Sequence, residues 1–81
     1  MFLLGLGAEW LHYDKGEYNK AIADYNKAIE LNPKDADAYN NRAIAYYHKG
    51  NIEKACADAR KACNLGMCKL YRLLQSKGYC R

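Results

Sequence analysis

The sequence predicts an all-α protein made of helical hairpins stacked side by side. Three observations predict it. The chain matches itself at an offset of 34 residues, apolar side chains recur at helical spacing, and no stretch shows the two-residue alternation of a sheet strand. Over positions 13–33 the offset pairs Tyr13/Tyr47, Lys15/Lys49, Gly16/Gly50, Lys20/Lys54, Ala21/Ala55, Ala23/Ala57, Asp24/Asp58, Lys27/Lys61, Ala28/Ala62 and Leu31/Leu65. Composition alone would supply roughly one or two such identities, so fixed-period stacking is the economical explanation.

Each element follows from local chemistry. Residues 8–15 and 36–49 read as the first helix of each hairpin; in the second of them Tyr39, Ala43, Tyr46 and Tyr47 fall on overlapping turns. Gly16 and Gly50 are expected to end these helices, since glycine takes the left-handed conformation a helix terminus needs. The second helices then run from about Tyr18 to Leu31 and from Ile52 to Leu65. In them Ala21, Ala28, Ala55 and Ala62 recur seven apart, which permits close helix approach. Asn32-Pro33 stops the first of these, because proline lacks the next donor and disfavours helix before it. Asp35 and Asn51 are N-cap candidates for the two helices that follow. A last segment, Cys68 to Gly78, places Leu70, Leu73, Leu74 and Lys77 at helical spacing.

Composition narrows the class. The chain has 81 residues, 51% apolar, with 13 Lys+Arg against 9 Asp+Glu, a formal charge of +4. It is too apolar for a disordered segment, and it lacks the roughly 18 consecutive apolar residues of a membrane span. One small domain is expected. Met1 to Ala8 superficially resembles a secretion signal but has no preceding basic residues and is too short. It reads as part of a first helix, and a cytoplasmic chain with reduced thiols is expected. The cations are dispersed, with a basic lean only in Arg60, Lys61, Lys69, Arg72, Lys77 and Arg81. That pattern is a solvated face; neither nucleic acid nor membrane is an expected partner.

The 34-residue helix–turn–helix unit, with Tyr39, Ala43, Tyr46, Gly50, Ala55 and Ala62 on signature places, resembles the tetratricopeptide repeat (TPR). The likeness covers about residues 5–67, and residues 13–33 look almost like a consensus second half. It implies a TPR-type α-solenoid: repeat one at about 2–35, repeat two at about 36–67, and a capping helix at about 68–78 that covers the last apolar face. Departures exist. Gly5 stands where an aromatic is usual, Glu9 where a tiny residue is usual, Ala59 replaces an aromatic and Met67 a proline. The ending Lys61-Ala-Cys-Asn-Leu-Gly resembles the related Sel1-like repeats.

The resemblance implies a concave groove that holds a peptide or helix of a protein partner. By family geometry it is lined by Trp10, Tyr13 and Asp14, by Asn40, Asn41, Ile44, Tyr47 and His48, and by Tyr71 and Gln75 of the cap. Aromatic rings give contact area at low entropy cost and amides can bond a peptide backbone; packing between helices is the competing role for Tyr13 and Tyr47. Some TPR domains grip chaperone carboxylate tails with Lys, Asn and Arg residues. Only Asn41 matches that set, while Leu6 and Trp10 stand where Lys and Asn are wanted, so tail binding is not expected.

Cys56 and Cys63 align with Ile22 and Ile29 across the offset, which favours small buried hydrophobes. A disulfide involving Cys68 or Cys80 is the alternative that the Sel1-like resemblance implies. A zinc site is the third, without a Cys-x-x-Cys pair to nucleate it. No enzyme, cofactor or metal is expected. His12 falls where the repeat packs a tyrosine, His48 lies near a helix end, and no phosphate loop or triad spacing is present. Asp24 and Asp58 repeat with the fold, which points to a structural or solvent role. Two repeats are fewer than the roughly three that usually bury their faces. Phe2, Leu3, Leu4, Leu6 and Trp10 therefore suggest a homo-oligomer joined through the N-terminal helix.

Overall fold

A computed structural model describes residues 15–80. Four helices follow one another: α1 Lys15–Leu31, α2 Ala36–Lys49, α3 Ile52–Asn64 and α4 Lys69–Ser76, and no strand occurs among the described residues. Helix α2 packs on both α1 and α3, and α4 lies against α3. The all-α hairpin stack and its final helix are thus as expected.

The stops and starts are local. Helix α1 ends at Leu31, ahead of Asn32-Pro33. The Asp35 carboxylate accepts from the Ala38 backbone N–H at 3.2 Å, and the Asn51 side chain accepts from that of Lys54 at 3.2 Å, which satisfies N–H groups that the first turn leaves unpaired. Gly50 closes α2 with φ +94°, its N–H reaching the Tyr47 carbonyl and the Asn51 N–H that of Tyr46. The same paired arrangement closes α3 at Gly66 and α4 at Gly78. Gly16 differs from its repeat mate. Helix α1 includes Lys15, ahead of the expected Tyr18, so Gly16 lies in its first described turn. Glu17 in that turn complements the positive helix end.

The interior is built on alanine. Ala43, Ala55, Ala59 and Ala62 are wholly buried, Ala38 and Ala45 nearly so, and among the described residues no large side chain is fully enclosed. Methyl groups let the backbones of α2 and α3 approach closely, so larger side chains are displaced to the flanks of the seam. One cluster unites Ala43 of α2, Ala59 of α3, Leu74 of α4 and Cys80, with Tyr47, Cys56, Leu70 and Tyr71 packed around it. Leu74 is 2% exposed, whereas Leu73 stays half exposed.

The expectation of free thiols is overturned. Cys56 bonds Cys80, with Cα atoms 5.6 Å apart, and Cys63 bonds Cys68, so no cysteine is free. The alignment with Ile22 and Ile29 did put Cys56 and Cys63 on the half-buried side of α3. The chain then reverses at Gly66 and again at Gly78, and these reversals bring Cys68 and Cys80 within bonding distance. Closing the 24-residue separation stabilises the fold by about 3 kcal/mol in the chain-entropy view, a substantial aid to so small a core.

Arg42 ties three helices together. Its Nε and Nη2 donate to the two carboxylate oxygens of Asp58 on α3, each at 2.7 Å, and its Nη1 donates to the side-chain amide oxygen of Asn26 on α1 at 2.7 Å. The rings of Tyr39 and Tyr46 stand 5.6 and 6.0 Å from the guanidinium. The hydrogen bonds to Asp58 raise the Arg42 pKa above its ordinary value against the opposing effect of burial, so the charge persists at any working pH. Asp58 is buried, as a structural role requires, whereas its repeat mate Asp24 is exposed. Arg42→Ala strands a nearly buried carboxylate and is expected to cost about 3 kcal/mol. The double replacement Arg42→Met with Asp58→Leu should cost far less; urea denaturation of the two variants checks the difference.

Candidate peptide groove

The exposed face of α2 carries Asp37, Asn41, Ile44 and His48, spaced four, three and four residues apart, so they form one stripe along the helix. Ile44 is 37% exposed in its middle. Asn40 borders the stripe, half-buried, and its side-chain oxygen is buried with no hydrogen-bond partner. It lines a cleft of about 390 Å³ shared with Met67, Lys69, Leu70 and Leu73. Such a cleft offers apolar contact and a cation at its border.

At the other end of α2 four rings form a row. Tyr18 of α1 stacks on His48 with centroids 5.6 Å apart, His48 meets Tyr47 at 5.6 Å, and Tyr47 meets Tyr79 edge-on at 5.7 Å. Edge-to-face and offset contacts suit the ring quadrupoles. Hydrogen bonding with Tyr79 is the main cause that raises the Tyr47 phenol above its ordinary pKa.

Of the residues named from sequence, Trp10, Tyr13 and Asp14 lie outside the described residues. Asn40, Asn41, Ile44, Tyr47 and His48 share α2, and Tyr71 and Gln75 share α4. Tyr47 and Tyr71 are half-buried against the alanine-centred cluster, while Gln75 is exposed. The cleft residues Met67, Lys69, Leu70 and Leu73, and the outer rings Tyr18 and Tyr79, were not foreseen as lining. Tyr18 comes from α1, Met67 from the turn before α4, Lys69, Leu70 and Leu73 from α4 itself, and Tyr79 from the turn after it. Among the described residues no group of acidic, histidine and cysteine side chains is arranged to hold a metal, and no helix is long and apolar enough to cross a membrane.

Comparison with known proteins now bears on this geometry. A family model described as TPR repeat matches residues 11–50, and one described as tetratricopeptide repeat matches residues 36–66. The chain carries tetratricopeptide repeats. It is 42% identical over 53 residues to a wheat (Triticum aestivum) Hsp70-Hsp90 organizing protein, covering 65% of this chain and 9% of that one. It is 39% identical over 54 residues to human (Homo sapiens) DnaJ homolog subfamily C member 7, covering 67% and 11%. It is 37% identical over 51 residues to the photosystem I assembly protein Ycf3 of Rippkaea orientalis, covering 63% and 28%. This TPR chain therefore spans only a small part of each of these relatives. No solved structure matches it.

The raised Tyr47 phenol has a sign. A group that holds its proton more tightly when folded adds stability below its unfolded pKa, and that stability fades as pH rises through the folded value. Ultraviolet titration should show one tyrosine ionising above the ordinary range. Tyr79→Phe should return it toward that range and flatten the alkaline loss of stability.

Proposed function

We propose that this chain is a non-catalytic protein-interaction module that holds a peptide or helical segment of a partner along the exposed stripe of α2. The observation that carries this reading is the cleft that Asn40, Met67, Lys69, Leu70 and Leu73 line beside that exposed stripe. Leu70, Leu73 and Met67 would receive an apolar side chain of a bound segment, with the Lys69 cation at the border. Asn41 and Ile44, exposed beside it, extend the contact along the helix. The TPR relatives support an interaction role at this coarse level. Their named chaperones are not transferred, because of the carboxylate-gripping places only Asn41 is matched and Leu6 and Trp10 depart.

On this reading the chain is one domain, with repeats at about 2–35 and 36–67 and a cap at about 68–78, and the second repeat's ending has a Sel1-like cast. Its groove takes Trp10, Tyr13 and Asp14 at one side and Tyr71 and Gln75 at the other. A cytoplasmic setting is compatible with two disulfides if they respond to redox state, the usual reason for such bonds inside cells. The second reading is a self-assembling unit joined through the N-terminal helix, supported by the scarcity of repeats.

The two readings separate by experiment. A peptide captured from a display library by the full chain should lose binding at least tenfold on Asn41→Ala with Tyr47→Ala, with oligomeric size unchanged. Loss of neither would remove the groove reading. Light scattering across a dilution series tests the second: a well-folded monomer at low micromolar concentration would defeat it.

A further inference from the structure

Resting on the groove reading, we propose that the Cys56–Cys80 disulfide is a redox latch. Closed, it seats Tyr79 on Tyr47 and completes an aromatic wall at one end of the groove; opened, it releases residues 77–80 and takes that wall apart.

The tail reaches this position by a sharp reversal. After α4 the Gly78 backbone enters the left-handed region at φ +85°, and the N–H groups of Gly78 and Tyr79 return to the carbonyls of Gln75 and Leu74 at 2.9 and 3.0 Å. The reversal delivers Tyr79 to the Tyr47 ring and sinks Cys80 beside Ala43, Ala59 and Leu74. Tyr79 itself is 44% exposed, so its own burial holds the tail weakly, and the covalent link through the 6%-exposed Cys80 does most of the holding. The ring face that remains open continues the row formed by Tyr18, His48 and Tyr47, available to a bound segment. The other disulfide, Cys63–Cys68, lies across the turn between α3 and α4 and has no part in seating Tyr79.

The chemistry balances with a dithiol as co-reactant. Cys56 is half-buried and Cys80 is buried, so an incoming thiolate attacks the Cys56 sulfur. The S–S bond breaks, Cys80 leaves as a thiolate and takes up a proton, and the second thiol of the reductant then displaces Cys56. Two electrons and two protons reach the protein, and the reductant departs as a disulfide. Without the bond, the two turn hydrogen bonds, a half-exposed contact between Tyr79 and Tyr47 and a small thiol are left to hold the tail.

The experiment uses the full chain in three forms: oxidised, Cys56→Ser with Cys80→Ser, and Tyr79→Ala with both disulfides intact. The probe is a display-library peptide selected on the oxidised protein, and the structural readout is the proton cross-peak between the Tyr47 and Tyr79 rings. The serine pair should lose the cross-peak and bind the peptide roughly two- to tenfold more weakly, the scale of one aromatic contact. Tyr79→Ala should show the same weakening on a covalently closed fold, and dithiothreitol should weaken wild type but not Tyr79→Ala. A ring cross-peak that survives loss of the disulfide overturns the latch, as does unchanged affinity in Tyr79→Ala. If the oxidised protein selects no peptide, the groove reading falls and the wall's role with it, while the cross-peak still reports separately on whether the bond seats Tyr79.

Discussion

Everything in this small protein depends on how closely α2 and α3 approach. Their seam is lined by alanines, four of them wholly buried, and a methyl group leaves room for little but backbone against backbone. Such a seam gains dispersion from many short contacts, yet it has few interlocking shapes to fix one register. Register comes instead from directional bonds. Arg42 supplies five-donor geometry to one carboxylate and one amide on two different helices, and the tyrosines on either side shield it from water. Displaced from the seam, the large side chains flank it, with Ile44 and Leu73 at the surface.

The two halves of the internal duplication are not equivalent. Asp58 meets Arg42, but the residue 34 places before Arg42 is Ala8, so Asp24 has no arginine at the corresponding place and remains in solvent. Asn26, which helps hold Arg42, is replaced in the second repeat by the exposed Arg60. The carboxylate bridge therefore belongs to the second repeat, and the bond from Arg42 to Asn26 extends it to the first.

What the sequence made legible was what local chemistry decides. Asp35, Asn51 and Asn32-Pro33 act within three or four residues of themselves, and each behaves as its side chain dictates. Gly50 does too, but Gly16 shows the limit of arguing by repeat: the same residue in the same frame lies inside a helix. Of the exposed stripe of α2, Asn41, Ile44 and His48 were named from family geometry and Asp37 was not. The cleft beside it was not foreseen, since Met67, Leu70 and Leu73 line it only through the setting of α4 and of the turn before it. The cysteines mark the boundary most clearly. Their face on α3 could be inferred from Ile22 and Ile29, whereas their partners depend on two chain reversals whose directions no periodicity encodes.

Both sulfur bridges begin on α3 and end beyond it, at Cys68 and Cys80. The fold is consequently graded in cohesion along its length. From Cys56 onward it is a tied knot that cannot separate without chemistry, while α1 is held to its neighbours by reversible contacts, among them one bond from Asn26 to Arg42. Under heat or mechanical load, α1 peels first and the knotted end persists, so damage to the molecule has a direction.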